Sequence, residues 1–170
     1  DDTDGVIALK EALNMGFRDI RIWGALGGRP DHSYANIMIL QMALTPAYRD
    51  GSTRDDGTAG GATCDDAPGG ETVGAGASSD DAPDVVIEDG GVRIFLAKRG
   101  QWIEGKIGSY LSIFALSPEV TGFTQSGLKY QPVGGRFVSS FPLGISNEFI
   151  EEKACLNWEK GVIMCMQVDK

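Results

Sequence analysis

Hydrophobic positions near the start of the chain recur at the spacing of a helix. The stretch TDGVIALKEALNMG has apolar residues at positions 6, 7, 9 and 13 and charges at Lys10 and Glu11. This pattern predicts a helix of about three turns. Thr3 or Asp2 would serve as its N-cap, and Gly16 would end it.

The following residues change to the spacing of a strand. In FRDIRIWGAL the apolar side chains of Phe17, Ile20 and Ile22 are separated by polar ones, and the run becomes wholly apolar toward Leu26. This predicts a strand buried in a sheet. After the turn GGRPDH, the stretch SYANIMILQMALTPAY returns to helical spacing, with Pro46 marking its end. Helix, strand, loop and helix in this order are typical of a doubly wound sheet.

The segment 51–84 has almost no large apolar residues and is rich in Gly, Ala, Asp, Ser and Thr. Such a composition buries too little surface to offset the entropy lost on ordering, so we predict a disordered insertion over 51–84. Its eight acids and one arginine give −7 of the chain's −9 net charge. The acidity therefore belongs to this segment and does not define a surface for a cationic partner.

After the insertion the pattern becomes that of short strands. VVIEDGGVRIFLAK predicts two strands around a Gly-Gly turn, and five further β-like runs follow from position 109, separated by turn residues. They are YLSIFAL, EVTGFT, RFVSSF, EFIEEKACLNW and GVIMCMQV. We therefore predict an α/β plus all-β fold. A partial doubly wound α/β domain over 1–97 contains the insertion, and an antiparallel β-sandwich domain follows over 98–170.

Composition excludes some partners. The 170 residues are 42% hydrophobic, enough for a packed core, but no apolar run approaches the roughly 20 residues of a membrane span. A chain without a basic face is not expected to bind nucleic acid. The three cysteines lack metal-like spacing and are typical of the reducing cytoplasm, where Cys155 and Cys165 would be core or strand residues.

The loop GALGGRPDHSYANI, residues 24–37, places glycines, an arginine, an aspartate and the only histidine between a predicted strand and a predicted helix. Gly27 and Gly28 let the backbone approach a ligand closely, and Arg29 can offer two donors to a phosphate. Asp31 would cap the following helix, or reach a substrate or a metal. Ligands bind beyond the carboxyl ends of strands in such sheets, so a phosphate-binding loop is slightly favoured over an ordinary turn.

Four stretches in chain order resemble motifs of the thiamine pyrophosphokinase family. They are D-x-T-D at 1–4, G-x-x-G-G-R-x-D-H at 24–32, G-L-K-Y at 127–130 and G-I-S-N-E-F at 144–149, and Asn36 follows the second a turn later. The combination is specific, whereas no single element would be. The resemblance covers the whole chain except the insertion.

This resemblance implies an α/β catalytic domain and a β-sandwich domain that binds thiamine. The family transfers pyrophosphate from ATP to the thiamine hydroxyl and releases AMP, with Mg²⁺ as cofactor. Its members form homodimers with the active site between subunits. The same organisation is expected for this chain.

The resemblance also assigns catalytic roles to three residues. Asp4 would help to hold Mg²⁺, Arg29 would hold the ATP phosphates, and Asp31 would orient a substrate polar group or a metal-bound water. Asp1 would contribute indirectly, by contact with one of these residues and not with the substrate. For Asp4 the alternative is an acid favoured by the dipole at the start of a helix.

Two further groups carry over as binding residues. ATP would be bound by Gly27, Gly28, Arg29 and His32, and thiamine by Tyr130, Ser146 and Asn147. The alternatives are a helix-end hydrogen bond for His32, an ordinary strand aromatic for Tyr130 and turn chemistry for the Ser-Asn pair.

The chain departs from the family at its start. The family's N-terminal strands carry further aspartates that complete the Mg²⁺ site, and this chain begins after them. We therefore expect that the first part of the catalytic domain is lacking here. The rival hypothesis is a non-catalytic module that binds thiamine or a nucleotide.

Overall fold

The computed structural model describes residues 3–45 and 78–170, and its largest sheet is mixed and has six strands. Its strand order is β1-β2-β3-β11-β5-β9, and β1 and β2 run parallel while the other neighbours pair antiparallel. The strands are β1 (Asp19–Trp23), β2 (Asp84–Asp89), β3 (Val92–Leu96), β5 (Tyr110–Ala115), β9 (Gly144–Glu148) and β11 (Ile163–Val168).

Shorter strands form two smaller sheets in the C-terminal part. The first has the order β4-β10-β7, and the second is the pair β6-β8. The strands are β4 (Trp102–Glu104), β6 (Glu119–Val120), β7 (Thr124–Ser126), β8 (Phe137–Val138) and β10 (Lys153–Asn157).

Helices pack on the N-terminal half of the large sheet. They are α1 (Asp4–Asn14), α2 (Pro30–Met38) and a 3₁₀ helix (Ile39–Leu44). The predicted helix at the start is confirmed: the Thr3 hydroxyl accepts from the Val6 N–H at 3.4 Å, and Gly16 follows with φ +84°. α2 begins at Pro30, before the predicted stretch, because proline suits a first helical turn whose N–H groups have no acceptor.

The two faces of the large sheet bury two different cores. Residues such as Ile87, Ile94 and Met164 face the helices and pack with Leu9 and Leu40. Because side chains alternate along a strand, their neighbours face the other way. Val86, Phe95 and Cys165 pack with the smaller sheets, around Phe123 and Phe149. The sheet therefore lies between a helical layer and a β layer.

The predicted strand at 17–26 is correct in type but wrong in its surroundings. We expected a strand buried in a sheet, whereas β1 is an edge of the six-stranded sheet and alternates between exposed and partly buried residues. Trp23 at its end is 68% exposed. Ile20 and Ile22 pack on the helical side, while Arg21 faces outward and pairs with Glu88.

The end of the predicted insertion is ordered, which corrects the prediction of disorder for 78–84. Ser79 and Ala82 are buried, and the Ser79 hydroxyl donates to the Ala97 carbonyl. Partial burial would raise the pKa of Asp80, but hydrogen bonds from Arg99 and Ser78 outweigh it and lower the pKa. Short polar residues here hold the chain by hydrogen bonds, a contribution that composition alone does not reveal. Residues 51–77 lie outside the described residues, as do Asp1, Asp2 and Pro46.

The fold class can be stated as mixed sheets with few helices. A doubly wound α/β domain stays a prediction, because β1–β2 is the single parallel pair among the described strands. The predicted boundary at 97–98 is crossed by one sheet, since β2 and β3 lie before it and β5, β9 and β11 after it. Within 3–45 and 78–170, no helix is long and apolar enough to cross a membrane.

Candidate functional site

Two glycines set the backbone shape of the loop that follows β1, and hydrogen bonds join this loop to neighbouring side chains. Gly27 and Gly28 have φ of +107° and +66°, a region that other residues rarely adopt. The Leu26 N–H donates to Asp89 at 3.0 Å, and the Gly27 N–H donates to the Ser33 hydroxyl at 3.0 Å. The loop is thus a defined backbone shape at the carboxyl end of a strand.

Asn36 joins the same loop to the first helix. Its Nδ2 donates to the Ala25 carbonyl at 2.8 Å, and its Oδ1 would lie 3.0 Å from a Cβ placed on Gly5. The start of α1, with Asp4 in its first turn, therefore lies against the helix that carries this loop. Asp4 is exposed there, as an acid at a helix N-terminus would be in either interpretation.

Arg29 and Asp31 form a two-pronged ion pair at the mouth of the loop. Arg29 Nε donates to one Asp31 oxygen at 3.2 Å, and an Nη donates to the other at 2.5 Å. This hydrogen bond comes first among the causes that lower the pKa of Asp31, followed by backbone donors of the helix start. Asp31 is therefore a carboxylate that accepts hydrogen bonds, and it does not cap α2, whose N-cap is Arg29.

A shallow groove runs along the outer side of this loop. Its volume is about 410 Å³, and its walls are Gly27, Gly28 and the α2 residues Pro30, Ser33, Tyr34 and Ile37. Arg29 and His32 flank it and are exposed. The groove is open to solvent and offers backbone N–H groups, an arginine and the start of a helix, which together favour an anion.

The described residues do not by themselves make a metal centre. In 3–45 and 78–170, no three His, Cys, Asp or Glu side chains come together in a way that could hold a metal ion. Asp4 is a single carboxylate beside the loop. A Mg²⁺ ion held here would need ligands from elsewhere, such as phosphates of a bound nucleotide.

A second candidate site lies in the β layer. It is an apolar pocket of about 200 Å³ beside β9, in which Tyr130 and Asn147 are the predicted residues. The other lining residues are Ile113, Gln131, Pro132, Val133, Phe137, Leu143, Gly144 and Ile145. Several of these apolar side chains are largely exposed, including Val133, Leu143 and Ile145.

Asn147 holds the backbone of Tyr130 in this pocket. Its Oδ1 accepts from the Tyr130 N–H at 2.9 Å, and its Nδ2 donates to the Tyr130 carbonyl at 2.7 Å. The residue is 3% exposed and lies within β9, so the turn alternative is wrong for Asn147. Because both ends of the amide are occupied, Asn147 positions Tyr130.

Ser146 and Tyr130 differ from Asn147 in being exposed. Ser146 has φ +57°, the one non-glycine positive φ among the described residues, and its N–H donates to the Ser112 hydroxyl at 3.0 Å. Tyr130 is 56% exposed, and the Lys129 ammonium lies 5.3 Å from its ring centre. The ring can therefore receive a further cation or an aromatic group.

Replacing Asn147 with alanine is expected to lower the free energy of unfolding by about 2–3 kcal/mol, because the Tyr130 N–H and carbonyl lose their partners. Urea unfolding monitored by circular dichroism measures this loss. Asn157→Ala is the matched control, since Asn157 is exposed and its amide donates one hydrogen bond among the described residues, to the Cys155 sulfur at 3.6 Å. Equal stability of the two variants would contradict a positioning role for Asn147.

The two candidate sites lie at opposite edges of the large sheet. β1 leads into the loop of residues 24–29 (the phosphate-type loop), and β9 lines the apolar pocket. Five strand intervals separate β1 from β9. At about 4.8 Å per interval, the separation is roughly 24 Å. The structure therefore brings Tyr130 and Asn147 together at one pocket, which Ser146 does not line, and keeps the loop residues 27–32 together, but it does not bring one group to the other.

Sequence reasoning missed two residues that shape the loop. Asp89 ends β2, next to the end of β1, and holds Leu26; Ser33 holds Gly27. The signal for Asp89 was an acid at the end of a second strand, but only the parallel pairing of β1 and β2 makes it a neighbour of the loop. The cysteine prediction is confirmed for Cys165, buried in β11, and for Cys155, in β10.

Comparison with known proteins agrees with this arrangement. Residues 97–163 match the family model described as "Thiamin pyrophosphokinase, vitamin B1 binding domain". No curated protein sequence matches the chain. Among solved structures, thiamine pyrophosphokinase from Bacillus subtilis aligns with a TM-score of 0.70 at 23% identity, covering 100% of this chain and 64% of that one.

Two further bacterial structures give similar values. Thiamin pyrophosphokinase from Geobacillus thermodenitrificans aligns with a TM-score of 0.67 at 24% identity, covering 100% of this chain and 63% of that one. A thiamin pyrophosphokinase family protein from Enterococcus faecalis gives 0.66 at 25%, with coverage of 100% and 65%. The chain thus spans less than two thirds of the length of these relatives. The resemblance is confirmed: residues 97–163 match the family model of the thiamin pyrophosphokinase vitamin B1 binding domain, and the chain has the fold of the corresponding part of these structures.

Proposed function

We propose that this protein acts in pyrophosphate transfer from ATP to the hydroxyl of thiamine, giving thiamine diphosphate and AMP. The observation that carries the proposal is the match of residues 97–163 to a vitamin B1 binding domain. The Tyr130 pocket lies inside this segment, and the phosphate-type loop lies outside it on the same sheet. A vitamin site and an anion site on one fold fit a reaction between thiamine and a nucleotide.

The reaction balances without a covalent enzyme intermediate. The thiamine oxygen attacks the β-phosphorus of ATP, the bond from that phosphorus to the bridging oxygen of AMP breaks, and the hydroxyl proton is released. Charge builds on the phosphate oxygens, so positioning and donors to those oxygens supply most of the catalysis. We assign the donors to the N–H group of Gly28 and to Arg29, with His32 at the rim, while Gly27, whose N–H donates to Ser33, shapes the loop.

Asp31 is assigned an orienting role. Its pKa is lowered first by the hydrogen bond from Arg29, so it stays ionised and accepts a hydrogen bond from a substrate or from water. It also holds the Arg29 fork in a plane that matches two phosphate oxygens. Asp4 is the predicted ligand for Mg²⁺ beside this loop.

Thiamine is assigned to the β pocket. The ring of Tyr130 would lie against the vitamin, and Ser146, which precedes Asn147 on β9 but does not line the pocket, stays a candidate contact at its edge. A positively charged thiazolium suits a tyrosine face, and it would use the part of the ring that the Lys129 ammonium, 5.3 Å from the ring centre, leaves open. Asn147 would act indirectly, by fixing the Tyr130 backbone.

A homodimer with the active site between subunits would account for the separation of the two sites. Roughly 24 Å between the sheet edges is too far for one thiamine to meet ATP on the same chain. A second copy that places its β9 edge beside the first copy's loop would complete the site. The exposed apolar side chains around the pocket, such as Val133 and Leu143, fit a surface covered by another subunit.

The free thiols of Cys155 and Cys165 support a cytoplasmic location.

The test is incubation of the protein with thiamine, ATP and Mg²⁺, followed by chromatography for AMP and thiamine diphosphate. Equal amounts of the two products are expected. Thiamine binding without either product would favour the alternative, a non-catalytic module of the same family. Absence of both thiamine binding and products would refute the proposal.

A further inference from the structure

The glycines of the phosphate-type loop are not held in place by packing. Gly24, Gly27 and Gly28 all have positive φ, and apart from their chain neighbours no described atom lies within 4 Å of a Cβ placed on any of them. Three glycines without such contacts leave the backbone free to adopt other conformations. Hydrogen bonds to the peptide groups of the loop are therefore the main constraint on its shape.

Two side chains that make such hydrogen bonds come from α2, the helix into which the loop leads. Asn36 donates to the Ala25 carbonyl at 2.8 Å, and the Ser33 hydroxyl accepts from the Gly27 N–H at 3.0 Å. Both side chains belong to the segment that follows the loop, so they hold the loop to its own helix. They do not by themselves fix the loop relative to the large sheet.

Asp89 makes a third hydrogen bond, and it does so from the sheet. The Leu26 N–H donates to the Asp89 carboxylate at 3.0 Å. Because the Leu26 side chain packs on the helical core, its location is already set, and the bond to Asp89 adds the rotation of the peptide group that leads into Gly27. Gly28 and Arg29, the residues assigned to the ATP phosphates, follow directly. A rotation of this peptide group would therefore turn the donors that the phosphates need.

The backbone of Asp89 is itself fixed on both sides. Asp89 ends β2 and pairs with Val92 of β3 across the turn formed by Gly90 and Gly91. The Gly91 carbonyl accepts from the Asp169 N–H at 3.0 Å, which joins this turn to the residue that follows β11. A side chain on such a base can hold a loop in one geometry, because its own backbone is restricted.

The negative charge of Asp89 does not favour an anion in the loop. Asp89 is bonded to the residue before Gly27, so its charge lies close to the proposed phosphates and repels them. Its contribution to phosphate binding must therefore come from the hydrogen bond. Asparagine would keep a side-chain oxygen that accepts from Leu26 and would remove the charge. Substitution can thus separate the two effects.

We propose that Asp89 is a positioning residue for phosphate binding. It acts through the Leu26 peptide group, which sets the direction of the Gly28 N–H and of Arg29, and it contacts no phosphate itself. Asp89 lies outside the four motifs and reaches the loop from the end of a second strand. This inference rests on the proposed use of ATP.

The test measures the binding of inorganic tripolyphosphate, ATP and thiamine to the protein by calorimetric titration. Asp89→Ala should weaken tripolyphosphate and ATP by the same factor, about tenfold, since the hydrogen bond that orients the donors is lost. Thiamine affinity should not change, because the Tyr130 pocket lies at the opposite edge of the sheet. In the assay for AMP, the KM for ATP should rise and the KM for thiamine should stay the same.

Two further substitutions at this position separate the hydrogen bond from the charge. Asp89→Asn should bind tripolyphosphate at least as tightly as the unsubstituted protein, because an acceptor remains and the repulsion is gone. Asp89→Glu keeps the charge but displaces the acceptor by one methylene, and should weaken tripolyphosphate several-fold. Circular dichroism checks that each variant is folded, and Asp89→Glu supplies the same test where Asp89→Ala does not fold.

Asp169→Ala is the matched control. Asp169 lies on the other side of the β2–β3 turn, and among the described residues its carboxylate pairs with Lys106 at 3.3 Å and not with the loop. The backbone N–H that holds Gly91 remains in this variant. Asp169→Ala removes one negative charge from the same region and should not weaken tripolyphosphate.

The outcomes distinguish this inference from the proposed function. Unchanged tripolyphosphate affinity in Asp89→Ala overturns the positioning role and leaves ATP use intact, as does a loss for ATP alone, which would mean that the carboxylate contacts the nucleoside. An equal loss for thiamine, or a loss that Asp89→Asn does not restore, also overturns it. If the unsubstituted protein binds neither ATP nor tripolyphosphate and forms no AMP, both proposals fail. A loss shared by ATP and tripolyphosphate and restored by asparagine supports the role of Asp89.

Discussion

Replacing Arg29 with lysine should reduce AMP formation from ATP and thiamine by about 100-fold or more, roughly 3 kcal/mol of transition-state stabilisation. Lysine keeps the positive charge but loses the planar fork, which here already engages both oxygens of Asp31. Phosphate oxygens in the transition state would use the guanidinium N–H groups that Asp31 leaves free. Single-turnover measurement of AMP, with thiamine affinity measured separately, tests the expectation.

Folding should be unaffected by this change. The Arg29 side chain is 71% exposed and contacts Asp31 on the surface of the loop. Arg136→Lys is the matched control, because Arg136 is also an exposed arginine paired with an acid, Glu119, but lies in the β layer. Near-normal turnover in Arg29→Lys, or unfolding of the variant, would show that the pair serves only the turn.

Local sequence patterns were sufficient for several elements. The apolar spacing and Thr3 predicted α1, and the Gly-Gly pair predicted the β2–β3 hairpin, in which Gly90 and Gly91 have φ of +56° and +84°. The apolar runs predicted β5 and β11. In each case the signal lies within about ten residues of chain, where periodicity and turn chemistry act directly.

Those local patterns could not predict which strands, distant along the chain, pair with each other. β4 and β7 are three residues long and mostly exposed, so their sequences carry no alternation, and they exist because β10 pairs with both. β11 lies between β3 and β5, far from β3 along the chain. β1 was expected to be buried because its residues are apolar, yet its position at the edge depends on which strands reach it.

The candidate site also has parts that local motifs predict and parts that depend on contacts between distant residues. The motifs identified the loop and the Tyr130 region, because glycine, arginine and aspartate at fixed spacing are visible in the sequence. The role of Asn147 was not visible, since its partner Tyr130 lies 17 positions away in the chain. The tie from Asp89 to Leu26 likewise depends on the parallel pairing of two distant strands.

Gly127, the first residue of the G-L-K-Y motif, is required by backbone packing. Gly127 follows β7, is buried and has φ +79°. A Cβ at this position would lie 2.1 Å from the Lys153 carbonyl oxygen and 3.0 Å from the Ala154 Cα. Its own carbonyl accepts from the Ile150 N–H at 2.9 Å, so the two backbones cannot separate without loss of that bond.

Gly127→Ala should therefore lower the free energy of unfolding by about 3–5 kcal/mol, from the strained φ and the backbone overlap together. Gly134→Ala is the matched control: its φ is +70°, and nothing lies within 4 Å of the added Cβ. The control isolates the cost of the backbone conformation, about 1–2 kcal/mol. Urea unfolding of both variants measures the difference, and equal losses would show that β7 and β10 can part at this point. Because Gly127 begins the segment that ends at Tyr130, a larger loss in Gly127→Ala than in Gly134→Ala would indicate that close backbone contact, as well as Asn147, holds the segment that carries the Tyr130 ring.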